Sequence, residues 1–277
     1  MAEPSAKGRL APGEEDFLYD IDTVLSSSFH MDARKPVDRL LRYERVLMTQ
    51  SPGWQPPDFA RQRVLEIGCG PLFGWGPIAA YLDAAAYTCI EPRFRPEVAA
   101  SDAVRNRFFL VMHQQLEAIF ARDLSFEDFM HRVRSRIEVH ARGIEDCELP
   151  AGETDLVISN GVLQHVAGLE RAIERIRHVS HGATRQYHAI NFTDHVSPPH
   201  DPFRDIYHSS PEQYFARDYL LNLKRPSEVM ELFSRAGIAL KCVPYYSHAG
   251  LEPGKLHEHW HSFKAEDLAI QIAFFVN

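Results

Sequence analysis

Apolar positions along the chain change period several times, and each change marks an element. Val64, Leu65 and Ile67 form a short apolar run with β-branched members, broken at once by Gly68, Gly70, Gly74 and Gly76 before the apolar Ile78-Ala79-Ala80. That order predicts a buried strand, a tight turn and a helix. Upstream, Phe17, Tyr19, Phe29 and Met31 lead into Val37, Leu40, Leu41, Val46 and Leu47 at helical spacing, and Gly53-Trp54-Gln55-Pro56-Pro57 closes this N-terminal helical segment. Downstream, Tyr87 to Ile90 predicts a second strand ending in Glu91-Pro92. Residues 97–136 then read as two helices, one through Phe108, Leu110, Val111, Leu116, Ile119 and Phe120, the other through Leu124, Phe126, Phe129, Met130 and Val133 behind a Ser125 cap.

Ile137 to Ala141 and Thr154 to Asn160 predict the third and fourth strands. Val162, Leu163, Val166, Leu169, Ile173 and Ile176 predict a helix stopped by Gly182, and Tyr187 to Phe192 a fifth strand. Ser197 to Asp218 is aromatic, His-rich and without period, as expected of a lid or substrate loop. A helix begins at Arg225-Pro226-Ser227-Glu228 and stops at Gly237. Ile238 to Val243 and Leu268 to Val276 predict two final strands with no helix between them.

Composition narrows the class. The chain has 277 residues, 45% apolar and 25% charged, enough for one large domain with elaborations. No apolar run approaches the roughly 18 residues of a membrane span, and the first 16 residues, a mixed tail, lack the apolar centre of a signal peptide. The expected setting is the cytoplasm, without membrane contact. Cys69, Cys89, Cys147 and Cys242 are widely spaced, so reduced thiols are expected. A formal charge of −8 argues against a nucleic-acid partner. Arg132, Arg134 and Arg136 are expected on a solvated face.

Candidate chemistry begins at the glycine turn. A backbone that turns sharply while a ligand approaches closely cannot carry a Cβ. Glu91 lies 21 positions beyond Gly70, far enough for a turn, a helix and a parallel strand, and an acidic residue there can accept hydrogen bonds from both hydroxyls of a ribose. A dinucleotide-binding G-x-G-x-x-G fingerprint is not met, because Phe73 follows at the third glycine position and the glycine falls at 74.

The matches VLEIGCGP (64–71), CIEP (89–92) and IEDCELPAGETDLVISNGVLQHV (144–166) resemble the class I S-adenosylmethionine-dependent methyltransferases over roughly residues 35–277. The resemblance implies an α/β fold: a doubly wound, mostly parallel seven-stranded sheet with an antiparallel C-terminal strand, carrying helical N-terminal and internal elaborations. It divides the chain into a tail (1–16), an N-terminal helical lid (17–60) and a Rossmann-like domain (61–277) with a helical extension at 97–136 and a substrate loop at 194–222. It implies S-adenosyl-L-methionine as cofactor. Glu66, Gly68 and Gly70 would surround its methionine and ribose parts, Glu91 would hold the ribose hydroxyls, Ile144 and Glu145 the adenine, and Asn160 the sulfonium or amino end. Three features depart from the pattern: Leu72 replaces a frequent glycine, Gly143 replaces a frequent Asp, and 97–136 is long enough to cover the site or serve a homodimer contact.

Methyl transfer is an in-line substitution governed by positioning, and a hydroxyl or ammonium acceptor must also lose a proton. Asp194 and His195, after the fifth strand, are the candidate catalytic pair for a small-molecule O or N acceptor. The other reading of the pair is an Asp that orients a structural loop. Phe203, Tyr207, Tyr214 and Tyr219 either line an acceptor pocket or pack the loop down. His257, His259 and His261 would share one face of a strand, but a polar surface loop is preferred and no metal is expected. Two other functions share this socket: a same-fold enzyme that cyclises or cleaves the cofactor with release of methylthioadenosine, and a non-catalytic cofactor-binding protein.

Overall fold

The computed structural model describes residues 19–194, 197, 200–217, 221–251 and 253–277. His195, Tyr219 and the N-terminal tail lie outside the described residues. Seven strands form one sheet: β1 (Arg63–Ile67), β2 (Ala86–Ile90), β3 (Ile137–His140), β4 (Thr154–Asn160), β5 (Ser180–Asn191), β6 (Lys241–Ser247) and β7 (Ile270–Val276). Their order is β3-β2-β1-β4-β5-β7-β6. β1 to β5 are mutually parallel, and β7 runs antiparallel between β5 and β6. This is the doubly wound arrangement expected of the class I methyltransferase fold, with its antiparallel C-terminal strand.

Alternation within β1 separates the two cores. Val64 enters one apolar cluster with the helices Lys35–Gln50, Gly76–Tyr81, Leu110–Phe120 and Phe126–Arg136, while Leu65 and Ile67 enter another with Leu169–Val179 and Pro226–Arg235. Helices therefore cover both faces, as a buried parallel sheet requires. A third, smaller cluster gathers Phe203, Ile206, Tyr207, Tyr214, Leu221, Leu223, Trp260 and Leu268.

Local signals account for much of this. The Ser125 side chain accepts the Asp128 N–H at 3.1 Å and starts the helix Phe126–Arg136. The segment before it is more broken than its apolar period predicts: short helices at Pro96–Ala99 and Asp102–Val104 lead through a π-turn at Arg105–Phe109 into Leu110–Phe120. Arg132 and Arg136 do not simply face solvent. Both reach Asp83, at 3.2 and 2.8 Å, and tie this helix to the end of Gly76–Tyr81.

β5 begins seven residues earlier than its apolar run predicts. The helix before it ends at Val179, and Gly182 lies within the strand, not at a helix stop. Residues 181–184 form an irregularity in the β4–β5 register, held by the His181 N–H on Thr184 Oγ1 at 2.8 Å and the Thr184 hydroxyl on the Thr154 carbonyl at 2.5 Å. β6 is also displaced, starting at Lys241 instead of Ile238.

Candidate functional site

The strand order reverses at β1, which has β2 on one side and β4 on the other. Ligands of open α/β sheets bind outside the carboxyl ends at such a point. There the Gly68 N–H donates to the Ile90 carbonyl at 2.7 Å, joining the ends of β1 and β2. Glu91 Oε2 accepts the Gly70 N–H at 2.9 Å and Oε1 accepts the Arg93 N–H at 3.2 Å. Burial pushes the Glu91 carboxyl up, and these two N–H donors oppose the shift. A carboxylate offers about four acceptor positions, so two remain for hydroxyls of a ligand.

Gly68 has φ +76°, and a Cβ there would overlap the Val162 side chain, which follows β4. Both its conformation and its surroundings require glycine. Leu72 is buried, Phe73 has φ +65° and Gly74 +54°, so the turn winds through two successive left-handed residues in place of an earlier third glycine. A Cβ on Gly74 would overlap the Glu66 carboxyl. Glu66 is 2% exposed; its Oε2 accepts the Trp75 N–H at 3.0 Å and the Tyr87 hydroxyl at 2.8 Å. Burial raises its pKa to about 8 despite those two bonds. Glu66 thus supports the turn from within the sheet.

Ile144 is buried in a 3-10 turn following β3. A Cβ on Gly143 would lie 2.7 Å from Glu145 Oε2, so the Glu145 carboxylate occupies space that a side chain at 143 would take. Asn160, half-buried at the end of β4, has no side-chain hydrogen-bond partner among the described residues. Tyr19 comes from the N-terminal segment to lie over the turn, its hydroxyl 3.9 Å from where a Gly70 Cβ would stand. Burial and the Glu91 carboxylate both push its phenol up. Motif reading predicted the Gly68, Gly70 and Glu91 grouping; the polar pairing of Tyr87 with Glu66 had no sequence signal.

Beyond β5 the construction differs. Asp194 is buried, its N–H donates to the Pro202 carbonyl at 2.9 Å, and its Oδ2 accepts the Ser197 hydroxyl at 3.1 Å. Ser197 Oγ in turn accepts the Asp205 N–H at 3.3 Å. The loop contains short helices at Arg204–Tyr207 and Pro211–Phe215, the second started by a Ser210–Gln213 capping box. Phe203, Tyr207 and Tyr214 are buried and pack the loop down, Phe203 stacking on Tyr207 with centroids 4.9 Å apart.

Arg225 is 1% exposed. Its guanidinium donates to the Phe192 and Ile270 carbonyls, both at 3.1 Å, and lies about 5 Å from the rings of Phe192 and Tyr207. Its Nε and the Gln164 Oε1 lack partners among the described residues, and both residues line a cavity of about 10 Å3 with Asn191 and Asn222. Sequence reading placed Arg225 only at a helix start.

Two His-containing sites are structural in geometry. His257 caps the 3-10 helix Glu258–Ser262, so the three imidazoles do not alternate on a strand, and no group of three metal-ligating side chains occurs among the described residues. His188 is fully buried between Ser159 Oγ (2.9 Å) and Gln186 Oε1 (3.0 Å), and burial lowers its pKa to about 3. Gln186 donates to Ser180 Oγ through Nε2, leaving its Oε1 to accept, so His188 is the neutral tautomer protonated at Nε2.

The turn, the acidic end of β2 and the strand order together define the fold as that of the class I S-adenosylmethionine-dependent methyltransferases. No family model and no curated protein sequence matches the chain. Among solved structures, it is similar to an S-adenosylmethionine-dependent methyltransferase from Mesorhizobium loti, at 13% identity and TM-score 0.45, over 79% of this chain and 92% of that one. It is also similar to a phosphoethanolamine N-methyltransferase 2 from Haemonchus contortus, at 13% identity and TM-score 0.48, over 92% of this chain and 58% of that one. The fold assignment stands on the strand order itself. No helix among the described residues is long and apolar enough to cross a membrane.

Proposed function

We propose that the chain is a methyltransferase that uses S-adenosyl-L-methionine and acts on an oxygen or nitrogen of a small molecule. The observation that carries the reading is the Gly70–Glu91 pairing at the reversal point of the sheet: the turn is closed by backbone donors while the carboxylate keeps acceptor capacity toward the crevice. The residues fit the cofactor. Glu91 would take its ribose hydroxyls, the Gly68–Gly70 backbone would pass its methionine part without side-chain obstruction, and Asn160 has an amide available for its amino end. Ile144 would supply an apolar surface to the adenine, and Glu145 an acceptor for its amino group. The bound cofactor supplies an electrophilic methyl group.

Asp194 follows the carboxyl end of β5, where an acceptor would meet that group, and in this reading His195 beside it removes the acceptor proton. Asp194 would then orient the loop through Ser197. Tyr19 and the N-terminal helices would close the cofactor side, and the inward packing of Phe203, Tyr207 and Tyr214 favours a small acceptor over a macromolecular one.

The test is mass spectrometry of the purified chain with S-adenosylmethionine, with and without a metabolite extract. S-adenosylhomocysteine formed only with extract is the expected result; methylthioadenosine formed without it means cofactor cleavage or cyclisation, and unchanged cofactor means binding alone. Glu91→Ala should weaken cofactor binding by about 30-fold, the equivalent of about 2 kcal/mol, in a calorimetric titration.

A further inference from the structure

The amino edge of the sheet contains a second cleft, of about 500 Å3, lined by Ser51, Trp54, Gln55, Arg185, Lys241 and Asn277 among others. Its volume is typical of small-molecule sites. Lys241 pairs with Val276, and Val276 with Tyr187, two residues beyond Arg185, so β5, β6 and β7 together build one wall. From Arg185 to Asn191, at the other end of β5, the strand rises about 20 Å. The cleft is therefore separate from the carboxyl-edge site.

Its charged side chains are basic. In a chain of formal charge −8, Arg185 and Lys241 meet at this cleft, and neither forms an ion pair with a carboxylate among the described residues. Arg185 spends two donors on the Gln55 and Pro56 carbonyls and lies 5.7 Å from the Trp54 ring; the remaining donors of its fork have no partner among the described residues. Trp54 is 8% exposed and sets an aromatic ring beside Arg185. Two cations without a carboxylate partner, one of them half-buried beside an aromatic ring, point to an anion that comes from outside the chain.

We propose that this cleft binds a small polyanionic metabolite through its phosphate or carboxylate oxygens. Lys241 and Arg185 supply charge, and the planar fork of Arg185 directional hydrogen bonds. Volume allows a molecule larger than a single phosphate, and two cations favour one with at least two negative charges.

Calorimetric titration of the full chain at low ionic strength, with inorganic pyrophosphate in one series and citrate in another, tests the site. Saturable binding of either probe at one per chain, weakening as salt is raised, is expected; which probe binds distinguishes a phosphate from a carboxylate ligand. Lys241→Glu, at an exposed position, should lower the affinity at least about tenfold. Arg185→Gln removes the second charge and should lower it by about threefold or more. Circular dichroism of both variants checks that the fold is kept. Absence of saturable binding to the unmodified chain, or unchanged affinity in folded Lys241→Glu, would overturn the proposal.

Discussion

Glu66 and Arg225 are both ionisable groups buried beneath loops at the carboxyl edge, yet the chain accommodates them by different means. Glu66 sits under the glycine turn with one N–H and one hydroxyl as donors, and burial moves its pKa to about 8, so it holds its proton at neutral pH. Arg225 sits under the loop beyond β5. A guanidinium cannot shed its charge, so it is solvated instead by two carbonyls and the faces of Phe192, Phe203 and Tyr207. The acid serves a turn made of residues close in sequence. Arg225 joins β5, β7 and the aromatic loop, which are far apart in sequence.

Removing the cation should have the largest effect. Arg225→Ala leaves two buried carbonyls unpaired and opens a cavity among three aromatic rings, and should destabilise by about 4 kcal/mol in urea unfolding. Arg225→Lys should recover only part, because an ammonium lacks the fork that reaches both carbonyls. Equal stability of Arg225→Ala and the parent chain would remove the contrast between the two regions.

Gly68→Ala probes the turn itself. A methyl group at φ +76°, overlapping Val162, should cost about 2–3 kcal/mol. Val162→Ala in the same chain should restore the steric part but not the backbone part, so a double-mutant cycle should show coupling of about 1 kcal/mol.

The buried acid makes a prediction about pH. Native Glu66 keeps its proton up to about pH 8 while the unfolded chain loses it near 4.5, so across that window the native state binds more protons and stability falls as pH rises. His188 does the opposite: it stays neutral in the native state down to about pH 3, while the unfolded chain protonates below about 6.5, so its contribution rises with pH between those values. The two slopes oppose each other from about pH 4.5 to 6.5. Glu66→Gln should therefore unmask a rise of up to about 1.4 kcal/mol per pH unit there, followed through chemical-denaturation midpoints. A flat profile in that variant would show that His188 titrates normally in the native state.

Smallest is Ser197→Ala, which breaks the relay from the Asp205 N–H to Asp194 and should cost about 1 kcal/mol. If Asp194 orients the catalytic loop, the variant should also lower kcat more than it changes the cofactor's Kd.

Legibility follows the same division. The glycine turn, β4 from Thr154 to Asn160 and the Ser125 cap could be read from the chain because each depends on backbone geometry within a few residues. The start of β5 could not: Gly182 looks like a helix stop, and only the pairing of Ser180 with Thr154 across the sheet starts the strand before it. Arg132 and Arg136 looked as solvated as Arg134 between them, because nothing local announces Asp83 as their partner.

By itself, then, the sequence determined the alternation of strands and helices, the turn after β1 and the acidic end of β2, since apolar period and glycine conformation act over short range. Tertiary structure alone decided that Tyr87 would donate to Glu66, that Tyr19 would cover Gly70, and that Arg225 would be enclosed by carbonyls and aromatic rings. Burial and hydrogen bonding of an ionisable group depend on which distant segments surround it, and periodicity carries no record of that.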